Sequence, residues 1–99
     1  MNKTKHLILK WANDKDLLNK SPHKQFTKLL EEIGELAEAL LYENKLEQMD
    51  AIGDIVVALT ILSNQLDLDI NECVISAYNN IKNRKGKTIN GVFIKERKE

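Results

Sequence analysis

The chain has 99 residues, with 15 Lys plus Arg against 15 Asp plus Glu and a formal net charge of zero. That balance argues against binding a nucleic-acid polymer through a general positive field, and no stretch holds the roughly 20 apolar residues needed to span a bilayer. A single domain over residues 1–99, cytoplasmic and not bound to a membrane, is the expectation, and at this size oligomerisation would help to bury the core.

The first predicted helix runs from about Lys3 to Asn13, with Leu7, Ile8 and Trp11 as its apolar positions. After a polar stretch, Ser21 as N-cap and Pro22 in the first helical position give a strong start signal. Helix two is predicted from Pro22 to about Tyr42. Phe26, Leu29, Leu30, Ile33, Leu36, Ala37, Leu40 and Leu41 repeat at the spacing of an amphipathic helix. Helix three, from about Leu46 to Leu66, is apolar around much of its circumference and is predicted to be central. The segment from Asp67 to Asp69 breaks it.

Helix four is predicted from about Ile70 to Arg84, on a stripe of Ile70, Cys73, Val74, Ala77, Tyr78 and Ile81. Cys73, the only cysteine, falls on that stripe and reads as core rather than nucleophile. From about residue 85 a short tail follows, in which Gly86, Asn90 and Gly91 mark turns and Val92, Phe93 and Ile94 cluster as an arm or lid. Sheet-type alternation is otherwise absent. The predicted class is all-α, a four-helix bundle-like protomer with a C-terminal tail.

Charge is uneven along this frame. Acids concentrate from Glu31 to Asp54, and residues Lys82 to Lys98 are mostly basic, which would set a cationic end over an acidic centre. On a wheel at about 100° per residue, the apolar centre of helix two falls near Ile33. Gln25, Lys28, Glu32 and Glu35 share a strip roughly 80° wide at its border, expected to be half-buried. On helix three, Glu47, Asp50 and Asp54 lie within roughly 60° of one another. Apolar residues bracket Asp54, which is costly unless the carboxylate is paired, hydrogen-bonded or metal-bound.

Carboxylates on two helices aimed at one layer suit a hard, oxygen-preferring cation. A buried network with a Lys or Arg is the other reading. A di-iron site would need Glu-x-x-His, and His6 and His23 lie outside both acidic segments. Oxygen-only ligation points to Mg2+, with Mn2+ as a substitute.

Trp11, KLLEEIGELAEAL, DAIGDIVVALTIL and AYNNIKNRKGK occur in that order. The arrangement resembles the MazG-like, all-α nucleoside triphosphate pyrophosphohydrolases of the short single-domain type, over nearly the whole chain. The family pattern is Glu-x-x-Glu on one helix and Glu-x-x-Asp on the next. Glu32 and Glu35 match the first pair and Asp54 the final Asp. Ala51 stands where the third acid belongs, with Asp50 as its natural substitute and Glu47 and Glu31 as weaker ones. A site short of one ligand holds metal less tightly or leans on substrate phosphates to complete it.

The resemblance implies Mg-dependent hydrolysis of a nucleoside triphosphate to a monophosphate and pyrophosphate, with nucleotide house-cleaning as a role. Glu32, Glu35, Asp50 and Asp54 would hold the metal, and Glu32, Glu35 and Asp54 carry the catalysis. Lys28, Asn80, Lys82 and Arg84 would contact phosphates or sugar, although cations at the end of helix four also complement its dipole. Trp11 would stack on a base or pack in the core, and Gln25 would bond a base or face water. The same likeness implies a homodimer or homotetramer. A nucleotide-binding protein without turnover, or a helical interaction module, are the alternatives.

Overall fold

The computed structural model describes residues 2–96, so Arg97 and Lys98 of the basic stretch lie outside the described residues. Four helices follow in order: α1 (Asn2–Asp14), α2 (Pro22–Leu41), α3 (Lys45–Gln65) and α4 (Ile70–Ile81). A two-stranded antiparallel hairpin follows, of β1 (Gly86–Ile89) and β2 (Val92–Lys95). The all-α bundle-like class holds.

Local chemistry sets the helix limits. Ser21 Oγ accepts from the His23 N–H at 3.2 Å, Asn44 Oδ1 from Glu47 N–H at 3.1 Å, and Asp69 Oδ2 from Glu72 N–H at 3.0 Å. Each bond satisfies a donor that the first turn leaves orphaned. The other ends of α1, α2 and α3 share one device. Leu17, Asn44 and Leu68 N–H groups reach back to the Ala12, Ala39 and Ser63 carbonyls, with Asp16, Glu43 and Asp67 at φ of 61°, 53° and 59°. These are Schellman-type closures made without glycine.

Helix α3 is central, as predicted, and packs against the other three helices. Its main partner is α2. Ala39 on α2 and Ala51 and Ala58 on α3 are all buried, and such small side chains permit close approach. Gln25 Nε2 donates to the Ala58 carbonyl and Gln48 Nε2 to the Ala39 carbonyl, both at 3.2 Å, so the pair is cross-linked at each end. On the other side, Gln65 Nε2 donates to the Leu17 carbonyl at 3.0 Å, and Lys5 meets Asp69 at 2.5 Å. These tie α1 and its following loop to α3 and to the cap of α4.

Several expectations need correction, three of them here. Helix α4 stops at Ile81 with Lys82 as C-cap, not near Arg84. The tail is a β-hairpin, closed by Asn90 and Gly91 at φ 51° and 78°, which matches a two-residue type I′ turn. Gly86 is required there, because a Cβ would come within 2.6 Å of the Phe93 ring and 2.2 Å of the Ile94 carbonyl oxygen. The third correction concerns α2. Ile33, the predicted apolar centre, is 46% exposed, while Leu29, Glu32 and Ala39 are buried.

Much apolar surface is open. Phe26, Leu30 and Leu40 on α2 and Val74, Tyr78 and Ile81 on α4 are each at least half exposed, and α4 has no buried residue. Cys73 is half-buried rather than core. The radius of gyration is 16.3 Å, against about 13 Å for a compact domain of this length. Among the described residues no single helix is long and apolar enough to cross a membrane.

Candidate metal and phosphate site

Glu32 and Glu35 lie one turn apart on α2, and Asp54 faces them from α3. One carboxylate oxygen from each lies within 4.8 Å of the other two. The three are unlike in setting. Glu32 is buried, at 6% exposure, whereas Glu35 and Asp54 are exposed. The sequence predicted an apolar enclosure for Asp54, but only its neighbours Ala51, Ala58 and Ile61 turn into the α2 contact.

Glu32 decides the chemistry of the cluster. Lys28 Nζ sits 3.1 Å from Glu32 Oε1 and 3.9 Å from Glu31 Oε2, and this pairing holds the Lys28 ammonium above its usual 10.5. Glu32 Oε2 is buried and has no hydrogen-bond partner among the described residues. A buried acceptor left bare costs about 1–3 kcal/mol. The Glu35 carboxyl is pushed above its ordinary 4.5, first by hydrogen bonding to and the charge of Glu32, with a smaller push from Asp54. A hard divalent cation fits this donor set: it would occupy the bare lone pairs and remove the repulsion.

Beyond the triad, the carboxylates open into a cleft of about 310 Å³. Glu35, Glu38, Glu47, Asp50, Ala51 and Asp54 line it. Asp50 therefore stands on the wall beside the triad rather than within it. Ala51 also faces the cleft, so a longer acid at this position would point at the cluster. Glu38 was not singled out in sequence, although its i, i+3 spacing from Glu35 was a usable signal.

The other predicted contacts are not brought here. Trp11 is 51% exposed on α1 and lies outside the cleft lining. Gln25 gives its amide N–H to Ala58, so it serves as a clamp between α2 and α3. Asn80, Lys82 and Arg84 are exposed and, among the described residues, make no ion pair or side-chain hydrogen bond. The chain bends by 102° between α3 and α4. Asp54 lies 11 residues before the end of α3, about 16 Å along the helix. Within one protomer, the basic end of α4 is thus carried away from the carboxylates.

Comparison with known proteins fits this geometry. Residues 9–80 match the family of phosphoribosyl-ATP pyrophosphohydrolase. The chain belongs to that family. It is an all-α family of the MazG-like superfamily, so the resemblance seen in sequence holds at that coarser level. An uncharacterized 18.2 kDa protein from the rep-hol intergenic region of Haemophilus phage HP1 (strain HP1c1) is 41% identical over 63 residues. Those residues are 63% of this chain and 39% of that protein, so the chain spans about two-fifths of its relative's length. No solved structure matches the chain.

Proposed function

We propose that the chain is a Mg-dependent nucleoside triphosphate pyrophosphohydrolase that cleaves between the α and β phosphates. The observation that carries this reading is the bare, buried Oε2 of Glu32 beside the exposed carboxylates of Glu35 and Asp54. Gln65 Oε1 is also buried without a partner among the described residues, but only the Glu32 oxygen belongs to a cluster of carboxylates that a cation could bridge.

Glu32, Glu35 and Asp54 would hold Mg2+, with Asp50 within reach on the cleft wall; the ion would supply neutralisation of phosphate oxygens and a template for water. The chain's own residues do the rest. Lys28 Nζ balances the charge of Glu32 and keeps one oxygen fixed. Glu35, an exposed carboxylate of the triad, would accept the proton of the attacking water at its Oε atoms. Water then adds to the α-phosphorus, the bridging bond to the β-phosphate breaks, and pyrophosphate leaves.

The working unit we propose is a homodimer or homotetramer. The open apolar faces of α2 and α4 support this, as does the placement of Asn80, Lys82 and Arg84. In such an assembly these three would serve the cleft of a second copy rather than their own. House-cleaning of aberrant nucleotides is the role this chemistry would suit. Incubation of the purified protein with canonical and modified nucleoside triphosphates, with and without Mg2+, tests the reading. Pyrophosphate release that needs Mg2+ supports it. Binding without turnover would favour a non-hydrolysing descendant, a reading that Ala51 at the fourth acid position specifically supports.

A further inference from the structure

A second depression runs between α1 and α3, of about 720 Å³. Its walls are mainly apolar, with Ile8 from α1 and Met49, Gly53 and Val57 from α3. Asp50 and Asp54 line this groove and the carboxylate cleft alike. The two depressions therefore meet at these two side chains, one polar and acidic, the other apolar. Its volume falls within the roughly 300–1,000 Å³ of small-molecule sites.

Gly53 gives the groove its meaning. A glycine in the middle of a helix costs about 1 kcal/mol relative to alanine. Backbone geometry does not require one here, since Gly91 is the only glycine with positive φ among the described residues. Packing does not require one either: a Cβ built on Gly53 meets nothing within 4 Å. Gly34 on α2 is equally open, so what distinguishes Gly53 is that it lines this groove, where its lack of a side chain leaves bare helix backbone on the wall. A flat ring can lie directly on bare helix backbone, beside the Met49 thioether, which makes favourable contacts with aromatic rings.

We propose that this groove takes the base of the nucleoside triphosphate whose phosphates occupy the carboxylate cleft, a proposal that rests on the function proposed above. The shape requirement is met by continuity. A nucleotide is apolar and planar at one end and anionic at the other, and the groove and cleft have that order with a carboxylate junction between. Asp50, outside the metal triad, is then placed where a ribose hydroxyl or exocyclic amine would donate to it. Base selection is assigned to Ile8, Met49, Gly53 and Val57, and not to Trp11 or Gln25.

Two substitutions and two probes test this. Gly53→Leu fills the groove with a side chain that meets no protein atom at its root, and Met49→Gln makes its exposed lip polar. Binding of a non-hydrolysable nucleoside triphosphate and of inorganic tripolyphosphate is measured with Mg2+, alongside sedimentation mass. Gly53→Leu should weaken nucleotide binding by about tenfold or more, the scale set by pocket contacts of this size. Tripolyphosphate affinity and mass should stay unchanged, and Met49→Gln should act in the same sense but less. Unchanged nucleotide affinity in both variants, or equal loss of both probes, would overturn the proposal. A change in mass would identify the groove as a protomer interface and also overturn it. If the unmodified chain binds neither probe, the proposed function itself fails, an outcome distinct from loss of the base site alone.

Discussion

Lys28 Nζ lies 3.1 Å from Oε1 of the buried Glu32 on α2, while the second oxygen of the same carboxylate has no partner among the described residues. Half of the charge is therefore answered by the protein and half is left for a ligand. Lys28 is itself largely exposed, so solvent screens the pair and limits its worth to about 1 kcal/mol. Lys28→Met should lower stability by about that amount in metal-free buffer. Urea unfolding at saturating Mg2+ should show most of the loss recovered, because the cation replaces the ammonium as counter-charge.

Glu35→Gln and Asp54→Asn address the exposed half of the triad. Neither residue has a cationic partner to lose among the described residues, so far-UV circular dichroism should match the unmodified chain. Calorimetric Mg2+ binding should fall below detection. Turnover should drop by at least the roughly 100-fold found at the upper end for groups that only support metal ligands. Retained turnover in both variants would mean that other residues hold the metal.

Ala51 offers a test in the direction of gain. It is 4% exposed and lines the cleft beside Asp54. Ala51→Glu should place a fourth carboxylate at the cluster and tighten Mg2+ binding several-fold, as read by calorimetry, while lowering metal-free stability because the larger side chain crowds the α2–α3 contact. The same change in an Asp50→Asn background should have a larger effect if Asp50 partly substitutes for the missing acid.

Two carboxylates respond to acid in opposite senses. Asp69 is held below its usual 3.8, first by its hydrogen bond from Lys5 and then by the Glu72 backbone N–H. Its contribution is present above pH 3.8 and is lost as pH falls further, through the folded value. Glu35 is held above 4.5, so the metal-free protein should gain stability as pH falls through its folded value toward 4.5. Thermal unfolding against pH checks both. Asp69→Asn should flatten the profile below pH 3.8, and Glu35→Gln should remove the gain above 4.5.

Sequence patterning located the helices well, because Ser21-Pro22 is a local start signal and the apolar periodicity of α2 and α3 is strong. It also selected Glu32, Glu35 and Asp54 by spacing. It misjudged burial. A helical wheel finds the most apolar face, which on α2 centres on Ile33, but the face that meets α3 carries Glu32 and Ala39. The most apolar side is open in the protomer. Ile33→Glu should thus reduce the sedimentation mass of an oligomer without loss of helicity.

The hairpin was legible and missed: Asn90-Gly91 between apolar residues is a strong two-residue turn signal. The ends of α1 to α3 were less so, since Asp16, Glu43 and Asp67 take the place glycine usually marks. The fate of Asn80, Lys82 and Arg84 depends on the 102° bend after α3, which is a tertiary angle that no local pattern encodes.

The most direct test of the triad as a pyrophosphohydrolase centre is a phosphorus NMR time course with Mg2+ and nucleoside triphosphates, run for the unmodified chain and Asp54→Asn. The predicted result is stoichiometric monophosphate and pyrophosphate from the unmodified chain and neither from the variant. Orthophosphate with diphosphate, equal product from both proteins, or no product from any triphosphate would contradict it.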